Sequence, residues 1–78
     1  MKHRKPFVPK VGETYENEGG GRYLCLNYGV HNGKVLPVMR NTVSGWTLYA
    51  HGVGIYDDGR IDWDYSTGIG FTDYVPVD

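Results

Sequence analysis

No window of normal helix length in this chain places apolar residues three and four apart without a glycine or proline intervening. Twelve glycines stand against a single alanine, and glycine costs about 1 kcal/mol per helical position relative to alanine. Helix therefore cannot dominate. The chain is filled instead by short segments rich in Val, Ile, Thr, Tyr and Trp, punctuated by Gly, Asn and Asp, which is the pattern of a small antiparallel sheet.

The punctuation divides the chain into elements. Residues 1–10 read as a basic extended tail, because Pro6 and Pro9 favour extended backbone, and residues 11–78 read as one β domain. Val11 to Asn17 is a first strand and Glu18 to Gly21 a turn. Arg22 to Tyr28 is a second strand, with Leu24, Leu26 and Tyr28 on the better core side. Gly29 to Lys34, containing His31-Asn32-Gly33, makes the next turn, since Asn-Gly supplies the positive φ values a tight hairpin needs. Lys34 to Arg40 follows, and Pro37 within it belongs at an edge or a bulge because it lacks a ladder amide. Trp46 to Ala50 is a fourth strand. Ile55 to Asp57 and Arg60 to Tyr65 form a hairpin, Ser66 to Gly70 a turn, and Phe71 to Val77 a short closing strand. Five to seven short antiparallel strands joined by glycine turns suggest a partly open barrel of the SH3-like or OB-like kind.

With 78 residues, the chain is expected to be one domain that buries only about 60% of the surface its unfolded form exposes. Small domains recover the deficit with disulfides, metals or partner subunits. The lone Cys25 cannot form an internal disulfide, so a homo-oligomer is expected. An unpaired cysteine between leucines reads as a buried small hydrophobe in a reducing compartment, and the cytoplasm is the expected location. No signal-peptide core and no apolar run of spanning length is present.

The formal net charge of −1 gives no overall attraction to nucleic acid. Its distribution is uneven: Lys2, Arg4, Lys5 and Lys10 crowd the start, whereas six of the nine acids lie between Asp57 and Asp78. The stretch "IYDDGRIDWDYSTGIG", residues 55 to 70, raises the question of a carboxylate site. A two-residue turn at Asp58-Gly59 would pair Tyr56 with Ile61 and Ile55 with Asp62. Tyr56, Ile61, Trp63 and Tyr65 then share one face, while Asp57, Arg60, Asp62 and Asp64 share the other, with Arg60 across from Asp57. Asp62 and Asp64 would project roughly 7 Å apart, but the oxygen-rich loop that a hard cation requires is missing. No metal, cofactor or catalytic residue is assigned. His31 and His51 read as turn residues, His51 being the more interesting because it sits at a strand end beside a glycine bend.

The segments "SGWTLYAHGVGIYDDGRIDWDYSTG" and "VGETYENEGGGRYLCL" resemble short β-barrel proteins of phages and mobile elements in Gram-positive bacteria. That resemblance brings no catalytic motif and no site residues. It implies a small standalone binding protein of a group that includes proteins blocking host defence by occupying a host protein or sequestering a nucleotide-like signal. The expected function is accordingly a non-enzymatic binding module for a host protein or a small anionic ligand. Trp46, Tyr49, His51, Tyr56 and Trp63 are its expected contacts, with Lys2, Arg4 and Lys5 as an electrostatic arm. The alternative is a single-stranded nucleic-acid binder that stacks bases on Tyr and Trp.

Overall fold

The computed structural model describes residues 4–77, so Lys2 lies outside the described residues. Within them the chain forms eight strands and no helix: β1 (Lys5–Pro6), β2 (Thr14–Glu16), β3 (Arg22–His31), β4 (Lys34–Asn41), β5 (Thr47–His51), β6 (Gly54–Ile55), β7 (Ile61–Asp62) and β8 (Tyr65–Ile69). Five of them make a sheet in the order β2-β3-β4-β5-β8, and three make a second in the order β1-β6-β7. Every strand pair is antiparallel. The sheets do not close into a barrel; an isolated bridge from Asn17 to Ile61 links β7 to the end of β2.

The core lies between the sheets and consists of Cys25, Met39, Leu48, Ala50 and Ile61, all fully buried. Phe7, Tyr15, Tyr23, Tyr28, Val53, Ile55 and Trp63 pack around it. The segment read as a tail is thus docked, through β1 on β6 and Phe7 on the core. Burial pushes the Cys25 thiol up to about 11, the weaker opposing effect being its contact with the Asn27 carbonyl. Tyr28 is likewise pushed up to about 12, mainly by burial and secondarily by Cys25 and Tyr15, while its hydroxyl donates to the Pro9 carbonyl at 2.6 Å.

Several sequence expectations are corrected. Cys25, not Leu24 or Leu26, faces the core from β3, and a bulge between Cys25 and Asn27 then resets the alternation so that Tyr28 reaches the core side as expected. The strand count is eight rather than five to seven. Gly12, with φ of 89°, cuts the first strand to three residues. Ser66 to Gly70 is not a turn: residues 65–69 pair with β5 in unbroken register. Gly68 there serves a close approach, since a Cβ would stand 3.3 Å from the Trp46 indole nitrogen. Phe71 to Val77 is not a strand. It begins with a turn and is tied to β3 by the Val30 N–H to the Val75 carbonyl at 2.9 Å and the Val77 N–H to the Tyr28 carbonyl at 2.9 Å.

Pro37 pairs with Tyr28 inside β4, an inner strand, yet its position is consistent with its chemistry. The β4–β5 ladder covers Val38 to Arg40 and stops one residue short of Pro37, so no neighbour on that side asks for the missing amide.

The acidic hairpin turns differently from its expected register. Tyr56 N–H donates to the Arg60 carbonyl at 2.8 Å and Gly59 N–H to the Tyr56 carbonyl at 3.0 Å, with Gly59 at φ 88°. The loop is therefore three residues, Asp57, Asp58 and Gly59, and Ile55 faces Ile61 while Gly54 faces Asp62. Asp58, not Asp57, holds Arg60: its carboxylate accepts from the Arg60 backbone at 3.0 Å and from the guanidinium Nε at 3.0 Å. This short-range contact within the turn raises the Arg60 pKa.

On β5 the four residues Thr47, Leu48, Tyr49 and Ala50 are all at most 2% exposed. Leu48 and Ala50 face the core. By alternation Thr47 and Tyr49 face the opposite side, where the C-terminal segment lies across the sheet. Tyr49 donates from its hydroxyl to the Val30 carbonyl at 3.3 Å and accepts from the Val75 N–H at 3.4 Å. Gly29 makes room for this: a Cβ would stand 2.8 Å from Tyr49 Cε1 and 3.0 Å from the Val75 carbonyl oxygen. Gly29→Ala is expected to destabilise the protein by roughly 1–3 kcal/mol through overpacking, measured by urea unfolding. An unchanged midpoint would show that the C-terminal segment does not cover Tyr49.

Candidate functional site

The Asn32-Gly33 turn has the expected positive φ values of 50° and 77°, but it is shorter than expected: β3 runs on through Gly29 and Val30 to His31, which lies directly opposite Lys34. On β5, Tyr49 and His51 alternate onto the same face, and the β5–β8 register brings Tyr65 opposite His51 and Thr67 opposite Tyr49. The result is a continuous row of four rings. His31 stacks on Tyr49 with centroids 4.9 Å apart and planes at 23°. It meets His51 edge-on at 5.8 Å and 78°. His51 stacks on Tyr65 at 4.1 Å and 13°. The row runs from Tyr49, 2% exposed, to Tyr65, 60% exposed, so one end is anchored in the fold and the other opens to solvent.

His51 Nε2 lies 2.9 Å from the Thr67 hydroxyl, which fixes the ring in the stack. Its pKa is held below the ordinary imidazole value, first by burial and then by the neighbouring His31 and Lys34. His51 is therefore neutral at pH 7, and an anion brought against it would favour its protonated form.

Of the expected contacts, only Tyr49 and His51 come together. Trp46 is half-exposed at the other end of β5, over Gly68. Trp63 packs edge-on against Tyr23 at 5.0 Å and 89°. Tyr56 directs its hydroxyl at Asp62 over 3.5 Å, and so sits with the acids rather than with the inward rings. Lys5 is exposed on β1. Arg4 is an internal tie: its guanidinium lies 3.7 Å from Asp62 Oδ2 and pairs with Asp64 Oδ1. Tyr65, read as an inward ring beside Trp63, stands on β8 instead, because the chain bends at Asp64 and the alternation begins afresh.

Sequence reasoning missed His31 and Tyr65 as partners of His51. The Asn-Gly turn signals where His31 sits on β3, but its meeting with Tyr49 also depends on the β4–β5 register. Among the described residues no three His, Cys, Asp or Glu side chains gather as a metal site, and no helix is long and apolar enough to cross a membrane. Comparison with family models, characterised proteins and solved structures finds no match to this chain.

The lowered His51 pKa has a definite sign in stability. An unfolded chain protonates this imidazole near its ordinary value of about 6.5, whereas the folded protein resists doing so. The unfolded state then binds more protons, and stability falls as pH is lowered through that value. Urea unfolding at neutral and mildly acidic pH should show this loss, and His51→Gln should reduce the slope. An identical slope in the variant would remove His51 from the account.

Proposed function

We propose that the protein is a non-enzymatic binding module whose ligand surface is the Tyr49–His31–His51–Tyr65 row. The observation that carries this reading is the pairing of His51 with a largely exposed Tyr65 in a near-parallel stack. Such a row offers a flat ring a place to continue the stack, while Lys34 and a protonatable imidazole supply charge for an anionic group. A small nucleotide-like ligand satisfies both features. The buried, high-pKa Cys25 supports the non-enzymatic reading, since a thiol of that kind is a poor nucleophile.

The curled two-sheet layout is in keeping with the partly open SH3-like or OB-like architectures expected from the strand pattern. The counter-defence role in a bacterial cytoplasm implied by the phage-protein resemblance is one setting in which sequestering such a ligand, or occupying a host protein, would serve. Single-stranded nucleic acid is the second reading, favoured by the same row because the exposed Tyr65 ring offers a base a surface to stack on. The acidic hairpin weighs against it.

Titration with adenosine monophosphate, adenosine and a short oligonucleotide, followed by NMR of the ring protons, separates these readings. The nucleotide should shift His51 and Tyr65, bind more tightly as pH falls, and bind better than the nucleoside. Tyr65→Ala should cost about 1–3 kcal/mol of stacking. An oligonucleotide preferred over the mononucleotide, with affinity falling steeply in salt, would favour the second reading. Shifts confined to Trp46, or none with any probe, would contradict both.

A further inference from the structure

Sheet edges invite pairing with other chains unless they are short, charged, proline-bearing or covered. Most edges of this molecule are protected in one of these ways. β1 carries Lys5 and Pro6. β2 is three residues long and contains Glu16. The rest of the β3 edge is taken by residues 75–77, with Pro76 bridged to Gly29. β7 is met by Asn17 and by the Glu18 N–H, which donates to the Ile61 carbonyl at 3.0 Å.

β8 differs from all of them. Its five residues, Tyr65-Ser66-Thr67-Gly68-Ile69, contain no charge and no proline, and they pair with β5 without a bulge. It is the terminal strand of the larger sheet, and no described strand lies on its outer side. Alternate backbone N–H and C=O groups along it therefore face outward and await partners.

We propose that β8 pairs antiparallel with β8 of a second copy of this chain, about a two-fold axis at Thr67, joining the two larger sheets into one. The strand is suited to its own copy. In that register Tyr65 lies opposite Ile69 and Ser66 opposite Gly68, so no like charges meet within the pair. Asp64, just before the strand, is paired with Arg4. Apolar rings flank the edge on both sides: Trp46, 49% exposed, lies over Gly68 on the core-side face, and Tyr65, 60% exposed, stands on the other. A stable dimer covers roughly 800 Å² on each partner, against a monomer surface of 4904 Å². The β8 backbone contributes hydrogen bonds to that contact and the two rings contribute apolar area. A small domain with no disulfide gains the most from it.

This pairing does not depend on the ligand proposed above. The test is sedimentation equilibrium of the full chain, with amide hydrogen exchange at low and high protein concentration. A dimer is expected, with β8 amides exchanging more slowly as concentration rises. Thr67→Lys and Thr67→Glu would set like charges opposite each other, and each should weaken dimerisation about tenfold or more. Mixing the two variants should restore it. Should either variant fail to fold, the concentration dependence of β8 exchange in the unsubstituted chain decides the matter. A monomer at every concentration, a dimer indifferent to the charges, or β8 exchange unaltered by dimer formation would overturn the proposal.

Discussion

The structure depends on one strand being buried on both of its faces. From Thr47 to Ala50, β5 has hardly any exposed surface, an unusual state for a chain this small. Leu48 and Ala50 close the core against Cys25, Met39 and Ile61. Thr47 and Tyr49 are covered from the other side, Tyr49 by hydrogen bonds to residues of β3 and of the C-terminal segment. Apolar burial contributes about 25 cal/mol per Å², so a domain with little interior gains by using both sides of an inner strand. Everything on the second face, the ring row included, stands on this arrangement.

The acidic hairpin has a supporting part in the same scheme. Its three-residue loop sets Ile61 into the core and leaves Asp62 and Asp64 on the outside, where Arg4 draws the start of the chain against them. Each such contact is half-exposed and weak by itself, worth under about 1 kcal/mol. Their value lies in position. They hold β1 on β6 and Phe7 on the core, so that a segment with the composition of a loose tail becomes a strand of the smaller sheet.

Much of this was legible in the sequence where local chemistry decides the backbone. Asn32-Gly33 turns as its residue types require, and Trp63 packs inward while Asp62 and Asp64 stay outside. The misreadings of Gly68 and of the ring row share a cause: the deciding contact is distant in sequence. Gly68 reads as a turn residue until the Trp46 indole is seen above it. In Leu24-Cys25-Leu26 either side looks apolar, so the local pattern does not say which one meets the core. At the acidic turn, one residue of loop length shifted the register, because Asp58 holds Arg60 within the loop. The ring row was half visible. Tyr49 and His51 follow from β5 alone, whereas His31 and Tyr65 arrive from β3 and β8 through pairings that no local pattern specifies.

The ring row joins fold to function. Tyr49 anchors it, His51 carries its variable charge, and Tyr65 presents it to solvent, all in positions fixed by β5. Native-state hydrogen exchange at Leu48 and Tyr49 tests that dependence most directly. The account predicts that these amides exchange only when the whole domain unfolds, with the same free energy as urea unfolding. Exchange as fast as that of Lys5 or Ile55 on the smaller sheet would contradict it.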